Sequence, residues 1–272
     1  MKKNGNFSLR LLVQIFFLCL VFLIVRGKTL GITLFEPVSL HVICPFGGVE
    51  SIYQFLTTGA MVRRVHESAF VLMYAVFILA VLFGAVFCGW ICPFGTVQEI
   101  FGKIGRKIFK SRYNAILPAK IDNILRYTRY FILALVLYNT ARSGQLFFEK
   151  YDPYFALFHM FTNQVALTAY TALGIVLLFS LIAERPFCKY ACPYGAMLGI
   201  FNLFSVFRIR REKESCTSCG LCDKKCPMNI KVSVETALRN HQCISCLECT
   251  SEKSCPVKGT VIFGLRKKAG KP

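Results

Sequence analysis

Cysteine carries the most specific chemistry in this chain. Over residues 216–227 the sequence reads C-T-S-C-G-L-C-D-K-K-C-P. Cys216, Cys219, Cys222 and Cys226, followed by Pro227, have the C-x2-C-x2-C-x3-C-P spacing with which one short loop wraps thiolates around a four-iron, four-sulfur cube. Cys243, Cys246, Cys249 and Cys255, followed by Pro256, repeat the run, with five residues rather than three before the last cysteine. Zinc also uses C-x2-C pairs, but tetrahedral zinc sites join two separated pairs rather than three thiolates in continuous register. Disulfides are the other reading, and they need an oxidising compartment.

In two-cluster ferredoxins the fourth cysteine of each run serves the other cluster. On that rule Cys216, Cys219, Cys222 and Cys255 hold one [4Fe-4S] cluster, and Cys243, Cys246, Cys249 and Cys226 hold a second. Two further pairs stand upstream, Cys88-Gly-Trp-Ile-Cys92-Pro-Phe-Gly and Cys188-Lys-Tyr-Ala-Cys192-Pro-Tyr-Gly. Helical i, i+4 spacing puts both thiols of a pair on one face, and Pro followed by Gly then turns or ends the helix. Each pair is half a metal site, and Cys88, Cys92, Cys188 and Cys192 together suit a third iron–sulfur or metal centre. The competing reading is free cysteine packed as a small apolar residue. A third echo, Ile43-Cys44-Pro45-Phe46-Gly47-Gly48, lacks the first cysteine and suits a re-entrant turn or buried packing.

Carboxylate and imidazole also recur together. Glu36 with His41, and Glu149 with His159, provide what quinol oxidation needs, since a quinol releases protons with its electrons and histidine titrates near neutral pH. The alternative is that these residues cap interfacial helices and face water.

The elements that must hold these residues are read from apolar runs. With 55% apolar residues, 26 Phe and 17% charged residues, the 272-residue chain is too apolar for an ordinary soluble domain. Uncharged or nearly uncharged stretches at about 11–25, 69–90, 127–142 and 163–183 predict four transmembrane helices. The first lacks a small-residue cleavage site and reads as a retained span rather than a signal peptide. The expected fold class is therefore a membrane all-α domain, residues 1–205, built as two duplicated hairpins. A small ferredoxin-like α+β domain, residues 206–272, follows it.

Charge sets the expected orientation. Lys103, Arg106, Lys107, Lys110, Arg112, Lys120 and Arg126 face only Glu99 and Asp122 between the second and third runs, which marks that segment cytoplasmic. Both termini then lie inside a bacterial cytoplasmic membrane, and the cysteine tail faces a reducing compartment. The formal charge of +19 falls by about two for each oxidised four-thiolate cube. The basic residues have no nucleic-acid motif around them, so nucleic acid is not an expected partner and the lipid bilayer is.

Taken together, these motifs resemble the NapH-type membrane iron–sulfur proteins, the quinol dehydrogenase subunits associated with periplasmic nitrate reductase. NosR-type and CcoG-type proteins share the same core. The resemblance implies that Cys88, Cys92, Cys188 and Cys192 are the family's paired motif and that the eight tail cysteines are its cluster ligands. It also implies electron transfer between quinone and [4Fe-4S] clusters, as a subunit of an oxidoreductase whose partner is another ferredoxin subunit, a cytochrome or a reductase. The alternative function is iron–sulfur assembly or redox sensing. Outer carboxylate–histidine loops would lie about 30 Å, a bilayer core, from the tail clusters. Either quinone binds near the inner thiol pairs, or those pairs hold an intermediate centre.

Overall fold

In the computed structural model the described residues are 5–26, 45–59, 67–110, 113–114, 118–143, 148, 151–158 and 165–265. Helices α1 (Gly5–Arg26), α2 (Pro45–Thr58) and α3 (Glu67–Phe83) lead into a π-helical turn (Phe87–Ile91) and α4 (Pro93–Phe109). Then come α5 (Ala119–Leu125), α6 (Thr128–Ser143), α7 (Pro153–Phe158), α8 (Leu167–Ser180), α9 (Pro186–Tyr190) and α10 (Pro193–Phe204). The tail comprises β1 (Phe207–Arg211), α11 (Leu221–Lys224), a 3-10 turn (Glu248–Thr250) and β2 (Val261–Leu265).

The two C-x3-C-P motifs start helices in the same way. Pro93 and Pro193 occupy the first turns of α4 and α10, where a missing N–H leaves no bond unmade and φ is already helical. Helices then pack across the two halves: α3 lies against α10 and α8 against α4, while α1 packs on α4 and α6 on α10. Each half thus completes the other. In the tail, β1 and β2 pair antiparallel with Phe207 opposite Leu265, and Phe83 at the end of α3 stacks on Phe207. One core joins helices to tail, running from Val76, Ala80, Val136 and Leu198 to Ile209, Met228, Ile230 and Ile244.

The four-span architecture is not what forms. Among the described residues, no helix is long and apolar enough to cross a membrane. The apolar run at 69–90 is interrupted where Gly84 takes a φ of +75°, so α3 ends at Phe83 after 17 residues, about 25 Å at helical rise. The run at 163–183 yields a 14-residue helix, about 21 Å long, against a hydrocarbon core of about 30 Å. Helix α6 has 16 residues and buries Arg129. Helix α1 has 22 residues, but Arg10 and Gln14 in it are buried against other parts of the protein. The runs are apolar because they pack the interior and leave apolar outer faces, such as Val71 and Ile78 on α3 and Leu178 and Phe179 on α8.

Candidate metal centre

The two tail loops wind alike. In the first, Ser218 and Gly220 flank Cys219 with φ of +54° and +65°; in the second, Ser245 and Leu247 flank Cys246 with φ of +48° and +59°. Left-handed residues alternating with cysteine turn successive backbone N–H groups inward, the concave arrangement that receives anionic iron–sulfur groups. Leucine in the left-handed region is strained, and the fold holds it there because the loop demands it.

Around the second loop the thiols gather. Burial pushes Cys249 well above its ordinary value, and Cys246, Cys243, Cys226 and Cys222 beside it add to the effect. Cys226 is pushed up to about 12 by burial and by Cys246, and its Sγ accepts from the Ile230 N–H at 3.4 Å. Cys243 is likewise pushed up to about 12 by burial, Cys246 and Cys226. Cys226 of the first run and Cys243, Cys246 and Cys249 of the second thus share one gathering, which Cys222 also reaches. Cys222 and Cys255 enter the same core, whereas Cys219 is exposed and Cys216 is held below its ordinary value by the Ser218 N–H and the Arg211 side chain. No cysteine among the described residues is in a disulfide.

The C-x3-C-P thiols form a second gathering. Burial raises Cys192, and Cys188, Cys88 and Cys92 press on it from both motifs. Gln98 Nε2 donates to Cys188 Sγ at 3.4 Å, and the Gly195 N–H donates to Cys192 Sγ at 3.3 Å. Among the described residues, no three His, Cys, Asp or Glu side chains are grouped to hold a single metal ion. A cube that presents a separate iron to each thiolate needs a wider spacing than one ion does. The donor chemistry, four thiols with N–H groups aimed at sulfur, fits such a cube.

Segment 241–249 of the tail is seated on this gathering. A Cβ on Gly89 would lie 2.3 Å from the Ile244 carbonyl, and one on Gly199 would lie 2.4 Å from the His241 carbonyl, so only glycine admits the tail backbone at both places. Trp90 Nε1 donates to the Ser245 carbonyl at 3.0 Å, Asn202 Nδ2 to the Asn240 carbonyl at 2.7 Å, and Arg129 Nη2 to the His241 carbonyl at 2.8 Å.

Two buried polar knots flank the motifs, and sequence reasoning missed both. In the first, Glu99 on α4 takes Arg10 and Arg185, each at 2.6 Å. Burial alone would raise the Glu99 carboxyl, but Arg185 and Arg10 outweigh it and hold it at about 2. Arg10 and Gln14 also donate to the Gly89 carbonyl, and Arg185 to that of Cys88, which supplies partners to carbonyls in the π-helical turn. In the second knot Asp122 takes Lys189 at 2.7 Å together with Tyr190 and Arg126. The signal was the charge itself: Arg10 inside an apolar helix, and Glu184-Arg185 and Asp122 at positions that read as helix ends or loop. Glu36, His41, Cys44, Glu149 and His159 lie outside the described residues.

Comparison with known proteins adds the family context. A family model described as a 4Fe-4S binding domain matches twice, over residues 65–112 and 165–212, each copy containing one C-x3-C-P motif. The chain is 32% identical to the ferredoxin-type protein NapH of Haemophilus influenzae, over 71% of this chain and 69% of that one. It is 32% identical to YccM of Escherichia coli, named for electron transport, over 83% of this chain. It is 30% identical to the regulatory protein NosR of Stutzerimonas stutzeri, over 63% of this chain and 24% of that one. The chain spans 63% of the length of YccM. No solved structure matches it.

Proposed function

We propose, for a chain that belongs to the NapH-type ferredoxin proteins, that this iron–sulfur electron-transfer protein takes its electrons from quinol and delivers them to a redox partner. Cys216, Cys219, Cys222 and Cys255 would hold one [4Fe-4S] cluster, Cys226, Cys243, Cys246 and Cys249 a second, and Cys88, Cys92, Cys188 and Cys192 a third centre. Such clusters supply one-electron acceptance and relay.

The observation that carries the reading is the seating of segment 241–249 on the C-x3-C-P turns. Gly89 lies directly against Ile244 and Cys246, so the two thiol gatherings meet backbone to backbone. Trp90 and Asn202 fix the register of that contact. Exposed apolar side chains on α1, α3 and α8, including Phe16, Ile78 and Phe179, support association with a quinone-bearing membrane.

The test compares two reductants. In wild-type protein, quinol and dithionite both reduce the tail clusters. In Cys92→Ser and Cys192→Ser, dithionite still reduces them, whereas reduction by quinol is lost. Equal quinol-driven rates in all three proteins would make the four thiols packing residues.

A further inference from the structure

A cavity of about 450 Å³ opens beside the second C-x3-C-P motif, within the size range of small-molecule sites. Its walls are apolar: Ile175 and Phe179 of α8, Ile182, Pro186 and Phe187. Asp122, with Lys189 and Tyr190 bonded to it, also lines the cavity, as do Asn114 and Asn229. Lys189, Tyr190 and Ala191 are the residues between Cys188 and Cys192. Asn229 belongs to the turn that follows Cys226, and Asn114 clamps that turn by donating to the Pro227 carbonyl at 3.2 Å and to Asn229 Oδ1 at 2.7 Å. The cavity therefore borders the loop of the proposed third centre on one side and the loop of a tail cluster on another.

We propose that this cavity is the quinol site, with the ring between Phe179 and Phe187 and one hydroxyl at Asp122. The assignment rests on the quinol reading above and gives it a place among the described residues. A mostly apolar lining that includes one bonded carboxylate suits a lipid-soluble quinol, and Ile175 and Phe179, both exposed, offer an apolar tail a way to the surface. The reaction balances as two O–H bonds broken, two C=O bonds formed, two protons released and two electrons passed singly to oxidised iron–sulfur clusters. Loss of an electron makes the ring hydroxyl strongly acidic, so an ionised carboxylate is a competent acceptor. Asp122 receives each proton and passes it to solvent past Asn114 and Asn229. Burial would raise the Asp122 carboxyl, but hydrogen bonds from Lys189 and Tyr190, with Arg126 beside them, hold it below its ordinary value, so it stands ionised when the far more acidic oxidised ring gives up its proton.

Photolabelling the holoprotein with an azido-quinone locates the site without any substitution. Label confined to peptides covering residues 175–191 and 114–125 is the expected result, and label elsewhere with none there overturns the assignment. Ile175→Trp narrows the mouth from a surface position and should weaken azido-quinone binding about tenfold. Asp122→Asn should bind the probe but slow quinol-driven cluster reduction about a hundredfold, with dithionite reduction unchanged. Unchanged binding and rates in both variants, beside active wild type, would refute the cavity and leave the quinol reading standing. A wild type that quinol cannot reduce and the probe does not label would refute both.

Discussion

The two halves of the helical domain carry the same motif at a constant offset, Cys88 matching Cys188 and Pro93 matching Pro193, yet their flanks differ. Position 99 is a glutamate that collects two arginines, whereas the matching position 199 is a glycine on which the His241 carbonyl rests. Position 89 is a glycine pressed on Ile244, whereas position 189 is a lysine paired to Asp122. The shared residues make a thiol gathering with matched halves, and the unshared ones decide what lies on each side of it. Glycine at 89 and 199 admits the tail, and Lys189 with Asp122 reserves the remaining side for the cavity.

That contrast can be broken at its charged side first. Glu99→Gln leaves Arg10 and Arg185 buried without their carboxylate, so it should cost about 3–5 kcal/mol in anaerobic thermal or denaturant unfolding. A loss under about 1 kcal/mol would show that the knot is not what fixes α1 to α4. The pH dependence sharpens the point. Because the Glu99 carboxyl is held at about 2 against an ordinary 4.5, its contribution is complete above pH 4.5 and drains away as pH falls toward 2. The Gln variant should lack that limb of the stability profile.

At the tail side, Gly89→Ala and Gly199→Ala should each cost about 1–3 kcal/mol and loosen segment 241–249, read as faster proteolysis of the tail. Gly174→Ala is the control, since a Cβ there meets nothing within 4 Å in the middle of α8. If all three behave alike, close backbone approach is not what seats the tail. The smallest effect belongs to Trp90→Phe, which keeps the ring and removes the bond to the Ser245 carbonyl. It should cost about 1 kcal/mol and shift the tail's proteolysis in the same direction as Gly89→Ala.

What was legible in the sequence was local. Ligand spacing is set by the few residues that wrap a cluster, so both cysteine runs and the paired C-x3-C-P motifs stood out without any fold. Helices were legible as apolar runs, but their lengths were not, because hydropathy sums residues and does not see Gly84 turning left-handed inside a run. The repeat itself suggested that Cys88 and Cys92 meet Cys188 and Cys192, but the packing that brings them together, α3 on α10 and α8 on α4, is encoded in no local pattern. Glu99 and Asp122 read as the few counter-charges of a basic segment, because a buried ion pair leaves no periodic signature; only the partner, Arg185 for one and Lys189 for the other, dozens of residues away, explains each.

The exchanged packing of α3 on α10 and α8 on α4 also bears on how such a chain could arise. A polypeptide of half this length, carrying one C-x3-C-P motif, could assemble the four-thiol gathering only by joining a second copy across a twofold axis. Fusing the copies makes assembly independent of concentration, since the partner half is always present. Fusion also frees the halves to diverge, which a symmetric pair of identical chains could not do.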